Sequence, residues 1–138
     1  MSANPKLIST VRNLAVKIVN ADGTTNKSLG VAPPADGTRI KSLYIASDDT
    51  SAQTLQLIAT IGAVDYILGE IAVPIGAGTD GATNAVNGLA GTRIPALQTD
   101  GITKWLDVAT GTTLSLKSKV AVTAGKTIYA FAEVGDFT

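Results

Sequence analysis

The 138-residue chain contains no cysteine and no histidine. Without cysteine it has neither a disulfide frame nor thiolate metal ligands. Without histidine it lacks the usual general base, the usual zinc ligand and any Ser-His or Cys-His nucleophile pair. Aromatic residues make up only 4%: one tryptophan, three tyrosines and two phenylalanines. That leaves few large rings to stack on bases or sugars. Neither sign of charge dominates, since 11 basic residues meet 11 acidic ones. No polybasic stripe exists to release counterions from nucleic acid or an anionic membrane. The N-terminal residues hold no apolar run long enough for a signal peptide or a membrane span, so synthesis and folding in a cytoplasm are expected.

What the chain does have is alanine, glycine, threonine and alternating aliphatic residues. In the stretch from Thr112 to Phe137, Leu114, Leu116, Val120 and Val122 fall on one parity, with Thr113, Ser115, Lys117 and Lys119 between them. That is the period of a strand with one dry face. A turn about Gly125 and a second run, Thr127 to Val134, complete a predicted hairpin. A lone hairpin is marginal in water, so the upstream chain must supply the sheet that covers it.

Residues 1–9 read as an arm, with residues 10–138 as one β-domain. Thr10 to Asn20 alternates as a strand, although Leu7, Val11, Leu14, Ala15 and Ile18 also fit a helical stripe. Residues 24–37 read as a loop. Arg39 to Ala46 is a strand whose apolar residues keep to neither parity, which predicts cover on both faces. Asp48-Asp49-Thr50-Ser51 is a solvated turn. Gln53 to Ile61 alternates cleanly, and Val64 to Val73 follows a Gly62-Ala63 turn with Gly69 marking a bulge or a close backbone approach. Pro74 ends that ladder. Residues 75–92 lose periodicity and read as a long functional or mobile loop. Ile94 to Leu97 and Ile102 to Val108 supply further short strands. The fold class is all-β: an antiparallel, jelly-roll-like β-sandwich of seven or eight short strands.

Three patterns resemble chemistry. Gly76-Ala77-Gly78-Thr79-Asp80-Gly81 spells G-x-G-x-x-G, but the residues after it are poor helix formers and no βαβ unit surrounds them, so the match is false. Four Asp-Gly pairs, at Asp22, Asp36, Asp80 and Asp100, fit turns better than a calcium loop. Trp105 with Tyr44, Tyr66, Tyr129 and Phe131 would make a sugar platform if exposed, but rings in a small β-domain are expected to pack inside. No catalytic residue, cofactor or metal ligand emerges, and the chain is not expected to be an enzyme.

The C-terminal third carries a resemblance. Ile94-Pro95-Ala96-Leu97, Asp100-Gly101, Trp105-Leu106, Thr113-Leu114-Ser115-Leu116, Ala121-Val122-Thr123-Ala124-Gly125-Lys126 and the closing Val134-Gly135-Asp136-Phe137 follow one another in an order similar to that of small tailed-phage virion proteins. In particular the chain resembles head decoration, or cement, proteins of jelly-roll type. The resemblance implies a bacteriophage structural protein on the capsid exterior, made in a bacterial host cytoplasm. It also implies a dimer or trimer that clamps neighbouring major capsid protein subunits and has no nucleic-acid or membrane partner.

On that expectation the arm residues Ser2, Ala3, Asn4, Pro5 and Lys6, and Thr79, Asp80, Asn84 and Asn87 of the long loop, are candidates for capsid contact. Tyr129 and Phe131 have the parity opposite to Ile128, Ala130, Ala132 and Val134, and are candidates for a homo-oligomer interface. A tail or baseplate component, or a carbohydrate-binding receptor-binding sandwich, is the alternative.

Overall fold

The computed structural model describes residues 7–90 and 93–138. Among these residues there is no α-helix, only a short 3-10 turn at Asn20–Asp22 and ten strands: β1 Ile8–Val19, β2 Asn26–Ser28, β3 Thr38–Ser47, β4 Gln53–Ile61, β5 Val64–Val73, β6 Val86–Asn87, β7 Gln98–Thr99, β8 Lys104–Val108, β9 Thr112–Ser118 and β10 Thr127–Phe137. They form two antiparallel sheets packed as a sandwich. The wide sheet runs β1-β10-β3-β8-β7, with β6 also paired to β3, and the narrow sheet runs β2-β9-β4-β5.

The core between the sheets is aliphatic. Ile18, Ile40, Leu43, Ile45, Ile128 and Val134 from the wide sheet meet Leu55, Leu57, Val73, Leu114 and Leu116 from the narrow one, all essentially inaccessible to solvent. Burying each such side chain stabilises the fold by roughly 1.5–3 kcal/mol. Ala130 and Ala132 also face inward, and as small residues they let the sheets approach closely. The helical alternative for the first segment is excluded: β1 pairs with β10 along almost its whole length, from Ile8 opposite Phe137 to Val19 opposite Thr127.

The predicted hairpin between the last two long strands does not form. β9 pairs with β2 and β4 in the narrow sheet, whereas β10 pairs with β1 and β3 in the wide sheet. The strand ends at Ser118, and residues 119–126 carry the chain across the sandwich. Val120 is 66% exposed, while Val122 is fully buried. Gly125 does turn the chain, with the Lys126 amide donating to the Thr123 carbonyl at 2.9 Å. Alternation reports which side chains point inward, and inward is common to both sheets, so it carries no information about sheet membership.

The mixed parity of β3 has a different cause from cover on both faces. Opposite Glu133 and Val134 of β10 stand Ser42 and Ile40, so Lys41 is an extra residue. The bulge switches parity, placing Ile40 on one side of it and Leu43 and Ile45 on the other in the same core. The outer face of this strand carries exposed Lys41 and Tyr44. Two further corrections concern short segments. Residues 24–37 contain β2, and Leu29 and Val31 just after it are buried. Ile94–Leu97 is a turn, closed by the Leu97 amide on the Ile94 carbonyl at 3.2 Å, and Pro95 within it has no amide to offer a ladder.

Asp49 is buried at 1% exposure instead of solvated. Its Oδ1 accepts from the Ser51 amide at 3.0 Å, and its Oδ2 accepts from Gln53 Nε2 at 2.7 Å and the Thr123 amide at 3.2 Å. The carboxylate thus ties the β3–β4 turn to the crossing segment 119–126. Burial opposes its ionisation, but the hydrogen bonds from Thr123, Gln53 and Ser51 outweigh that and hold it at about 2, below its ordinary 3.8. Neighbouring Asp48 caps the Thr127 amide at 2.7 Å, at the start of β10.

The β4–β5 hairpin turns through Gly62 and Ala63, both at positive φ (57° and 64°). A turn with two such residues matches the twist of the flanking strands, but alanine is strained there. Ala63→Gly is expected to raise the urea midpoint by an amount equivalent to about 0.5–1 kcal/mol. An unchanged or lower midpoint would show that the strain is not felt.

Candidate functional site

No aromatic residue belongs to the core, which overturns the expectation that the rings pack inside. Tyr44, Tyr129 and Phe131 are 49%, 40% and 48% exposed, Tyr66 is likewise exposed, and Trp105 and Phe137 are half-buried. Every ring except Tyr66 lies on the outer face of the wide sheet. The strand register shows how this comes about. Tyr129 and Phe131 alternate with the inward Ile128, Ala130 and Ala132, as predicted. Phe131 stands between Ala15 of β1 and Tyr44 of β3, and Tyr129 stands between Lys17 and Ala46. Phe137 shares their parity on β10, and Trp105 shares that of Asp107, which is paired to Arg39.

Charged side chains frame this face. Lys17 Nζ lies 5.7 Å from the centre of the Tyr129 ring. Lys41, set out by the bulge, donates to Glu133 Oε1 at 3.1 Å. Arg39 makes a forked pair with Asp107, Nε to Oδ1 at 2.8 Å and Nη2 to Oδ2 at 3.1 Å. Its guanidinium also lies over the rings of Trp105 and Phe137, at 4.8 and 5.3 Å from their centres. Donating to the Asp107 carboxylate raises the Arg39 pKa above its ordinary value. A guanidinium held this way is a fixed planar platform, and it keeps both rings at one corner of the sheet. On the opposite, inward parity of the same strands, Arg12 donates to both oxygens of Asp136 at 2.9 Å, and buried Thr38 donates from Oγ1 to Oδ1 at 2.6 Å. Arg12 holds that carboxyl below the ordinary range.

The predicted loop contacts are distributed differently. Thr79, Asp80, Asn84 and Asn87 are all exposed. Thr79 Oγ1 donates to the Ser47 carbonyl at 2.8 Å, and Asp80 receives the amides of Ala82 and Thr83 at 2.8 and 2.6 Å. The segment is not free of core duty: Ala77 and Leu89 are buried in the sandwich, and Val86–Asn87 adds a short strand to β3. Only Asn87, opposite Tyr44, adjoins the aromatic face. Ser2, Ala3, Asn4, Pro5 and Lys6 lie outside the described residues, as does the end of the loop at residues 91 and 92.

The G-x-G-x-x-G stretch is a set of turns with Gly76, Gly78 and Gly81 at positive φ and no helix after it. Asp100 repeats the geometry of Asp80, with Oδ1 accepting from the amides two and three residues on at 2.8 and 2.7 Å. Both are turn residues of an Asp-Gly-x-Thr pattern. No cluster of acidic side chains suited to a metal ion occurs among the described residues.

The sequence signal for this site was the parity of Tyr129 and Phe131. The roles of Tyr44, Trp105, Phe137 and Arg39 were not legible, because they depend on the β3 bulge and on which strand lies beside β3. Compared with known protein families and with curated proteins, the chain matches none.

Proposed function

We propose that this protein is a virion structural protein, a decoration or cement protein that binds the outside of a phage head, stabilises contacts between major capsid protein subunits and buries the Tyr129–Phe131 part of its wide sheet against a second copy. The observation that carries the reading is the outward placement of Tyr44, Tyr129, Phe131, Trp105 and Phe137 in a sandwich whose core needs none of them. Aromatic residues are enriched at protein interfaces and supply most of their anchoring energy.

The strand order adds support. β1-β10-β3-β8 faces β2-β9-β4-β5, every connection among these strands crosses the sandwich except the β4–β5 hairpin, and two interlocked Greek keys of a jelly roll have that order.

Within this reading the Tyr129–Phe131 face is self-complementary. A two-fold axis across the strands at Phe131 sets the Lys17–Tyr129 row of one protomer over the Asn13–Glu133 row of its partner, bringing each Lys17 beside a Glu133. Phe131→Lys is expected to weaken self-association at least tenfold by sedimentation, about 1.4 kcal/mol, with an unchanged fold by circular dichroism. A wild-type chain that stays monomeric at high concentration would remove the oligomer from the proposal. Imaging purified virions by cryo-EM tests the larger claim: density on the head supports it, and density confined to the tail or baseplate overturns it.

The exposed rings also favour a second reading, a carbohydrate-binding sandwich. Titration with an oligosaccharide panel that leaves Trp105 fluorescence and the NMR shifts unmoved would dismiss it.

A further inference from the structure

Beside the aromatic face, two hollows of about 370 and 330 Å³ run together along β3 and β8. Lys41, Thr103 and Lys104 line both of them. The first is completed by Ile8, Arg39 and Trp105, and the second by Tyr44, Asn87, Leu89 and the fully exposed Ile102. The result is one trough with aromatic residues at both ends and ammonium groups along its length.

The donors in this trough are unequally satisfied. Arg39 is paired with Asp107, and Lys41 with Glu133. Lys104 Nζ reaches only the Ala90 carbonyl, at 3.3 Å, and has no carboxylate partner among the described residues. Trp105 Nε1 is buried and has no acceptor, the one such side-chain atom among the described residues. Leaving a buried donor unpaired costs about 1–3 kcal/mol, so an N–H in this position calls for an acceptor beyond the described residues. The one acidic residue lining the trough, Asp100, has its oxygens committed to the amides of Ile102 and Thr103 and to the Thr103 hydroxyl.

We propose that this trough binds an extended acidic peptide segment of a partner protein. One carboxylate would lie between Lys104 and the Trp105 indole N–H, and the alternate apolar side chains would rest against Ile8 and Ile102. The period-two spacing of an extended strand suits a site that alternates charged and apolar lining, and the unpaired donors match carboxylate oxygens. The inference rests on the docking reading above and gives it a partner chemistry.

The test is NMR titration of the intact protein with a blocked hexapeptide of alternating glutamate and valine, alongside its glutamine counterpart and tri-galacturonate. The glutamate peptide should shift the Trp105 indole resonance and bind at least tenfold more tightly than the glutamine peptide. Lys104→Glu should weaken it at least tenfold. Trp105→Phe, which keeps an aromatic ring but removes the N–H along with the pyrrole part of the indole, should weaken it about threefold with the fold intact. Equal binding of the two peptides, or an indole resonance that stays put at millimolar peptide, overturns the proposal. Binding of tri-galacturonate with no response to the peptide overturns it in favour of an acidic sugar. Failure here leaves the Phe131→Lys and virion results standing, so loss of the trough and loss of the docking reading are separable.

Discussion

Asp49→Ala is expected to destabilise the protein by about 3–5 kcal/mol, a large share of the roughly 5–15 kcal/mol that holds an ordinary domain together. Three donors converge on this carboxylate: the amides of Ser51 and Thr123 and the side chain of Gln53. Gln53 is itself buried, and so is Ser118 beside it, whose hydroxyl donates to the Val120 carbonyl. Alanine would take the acceptor from all three donors, and the Gln53 amide would lose it in a buried position. It would also cut the tie between the β3–β4 turn and the segment that carries the chain from β9 to β10. Asp49→Asn keeps one acceptor oxygen but turns an NH₂ group toward donors, and is expected to cost about half as much. The pH dependence has a definite sign. The folded carboxyl titrates near 2 and the unfolded one near 3.8, so its contribution is fully present above about pH 4 and is lost as pH falls toward 2. Urea midpoints followed by circular dichroism at pH 7 and pH 2.5 should therefore differ more for wild type than for Asp49→Asn. An alanine variant within 1 kcal/mol of wild type at pH 7 would remove the carboxylate from this role.

Asp49 also marks how far the sequence could be read. That a pair of aspartates sits in a turn follows from their chemistry; that one of them is buried follows from the distant Thr123, which no local pattern connects to it. The same division runs through the fold. Leu55, Leu57 and Ala59 of β4 and Ile128, Ala130, Ala132 and Val134 of β10 face the core as their alternation predicts. Their periodicity is a local property of an extended chain. Gly69 was legible for a similar reason, because a glycine inside a strand-forming run has few other uses. Sheet membership was not legible. Val120 and Val122 continue the parity of Leu114 and Leu116 beyond the end of β9, although one is exposed and the other seals the core from a crossing segment. The aromatic face was half legible. Tyr129 and Phe131 announce themselves by parity, but small inward residues such as Ala130 and Ala132, which let the sheets approach closely, also leave no room for rings between them. That consequence pointed outward, against the expectation that rings pack within.

Gly69→Ala is expected to cost about 3 kcal/mol, for a reason that separates it from the other glycines. Gly69 stands opposite Leu57, and Leu68 beside it is the extra residue of a bulge between Leu57 and Ile58 of β4. A methyl group at Gly69 would run into the backbone carbonyl of Arg93 and come within 2.8 Å of Ile94 Cγ1. A carbonyl of the main chain cannot swing aside as a side-chain end can, so the segment at Arg93 and Ile94 must shift, and Ile94 is a buried core residue. Gly125→Ala is the control. Gly125 has a positive φ of 80° but open space around it, so alanine there meets backbone strain alone and should cost only about 1 kcal/mol. The two variants therefore distinguish steric contact from conformational strain, read as urea midpoints. The Gly69 contact also protects a sheet edge. β5 is the outer strand of the narrow sheet, and beyond Gly69 toward the hairpin it carries exposed Val64, Tyr66 and Ile67. Displacing the Arg93 segment lengthens that uncovered edge, which is a template for pairing with another chain. Light scattering on warming should accordingly rise earlier for Gly69→Ala than for Gly125→Ala even when the two are compared at equal stability. Equal onset would mean that the covering segment matters for packing and not for edge protection.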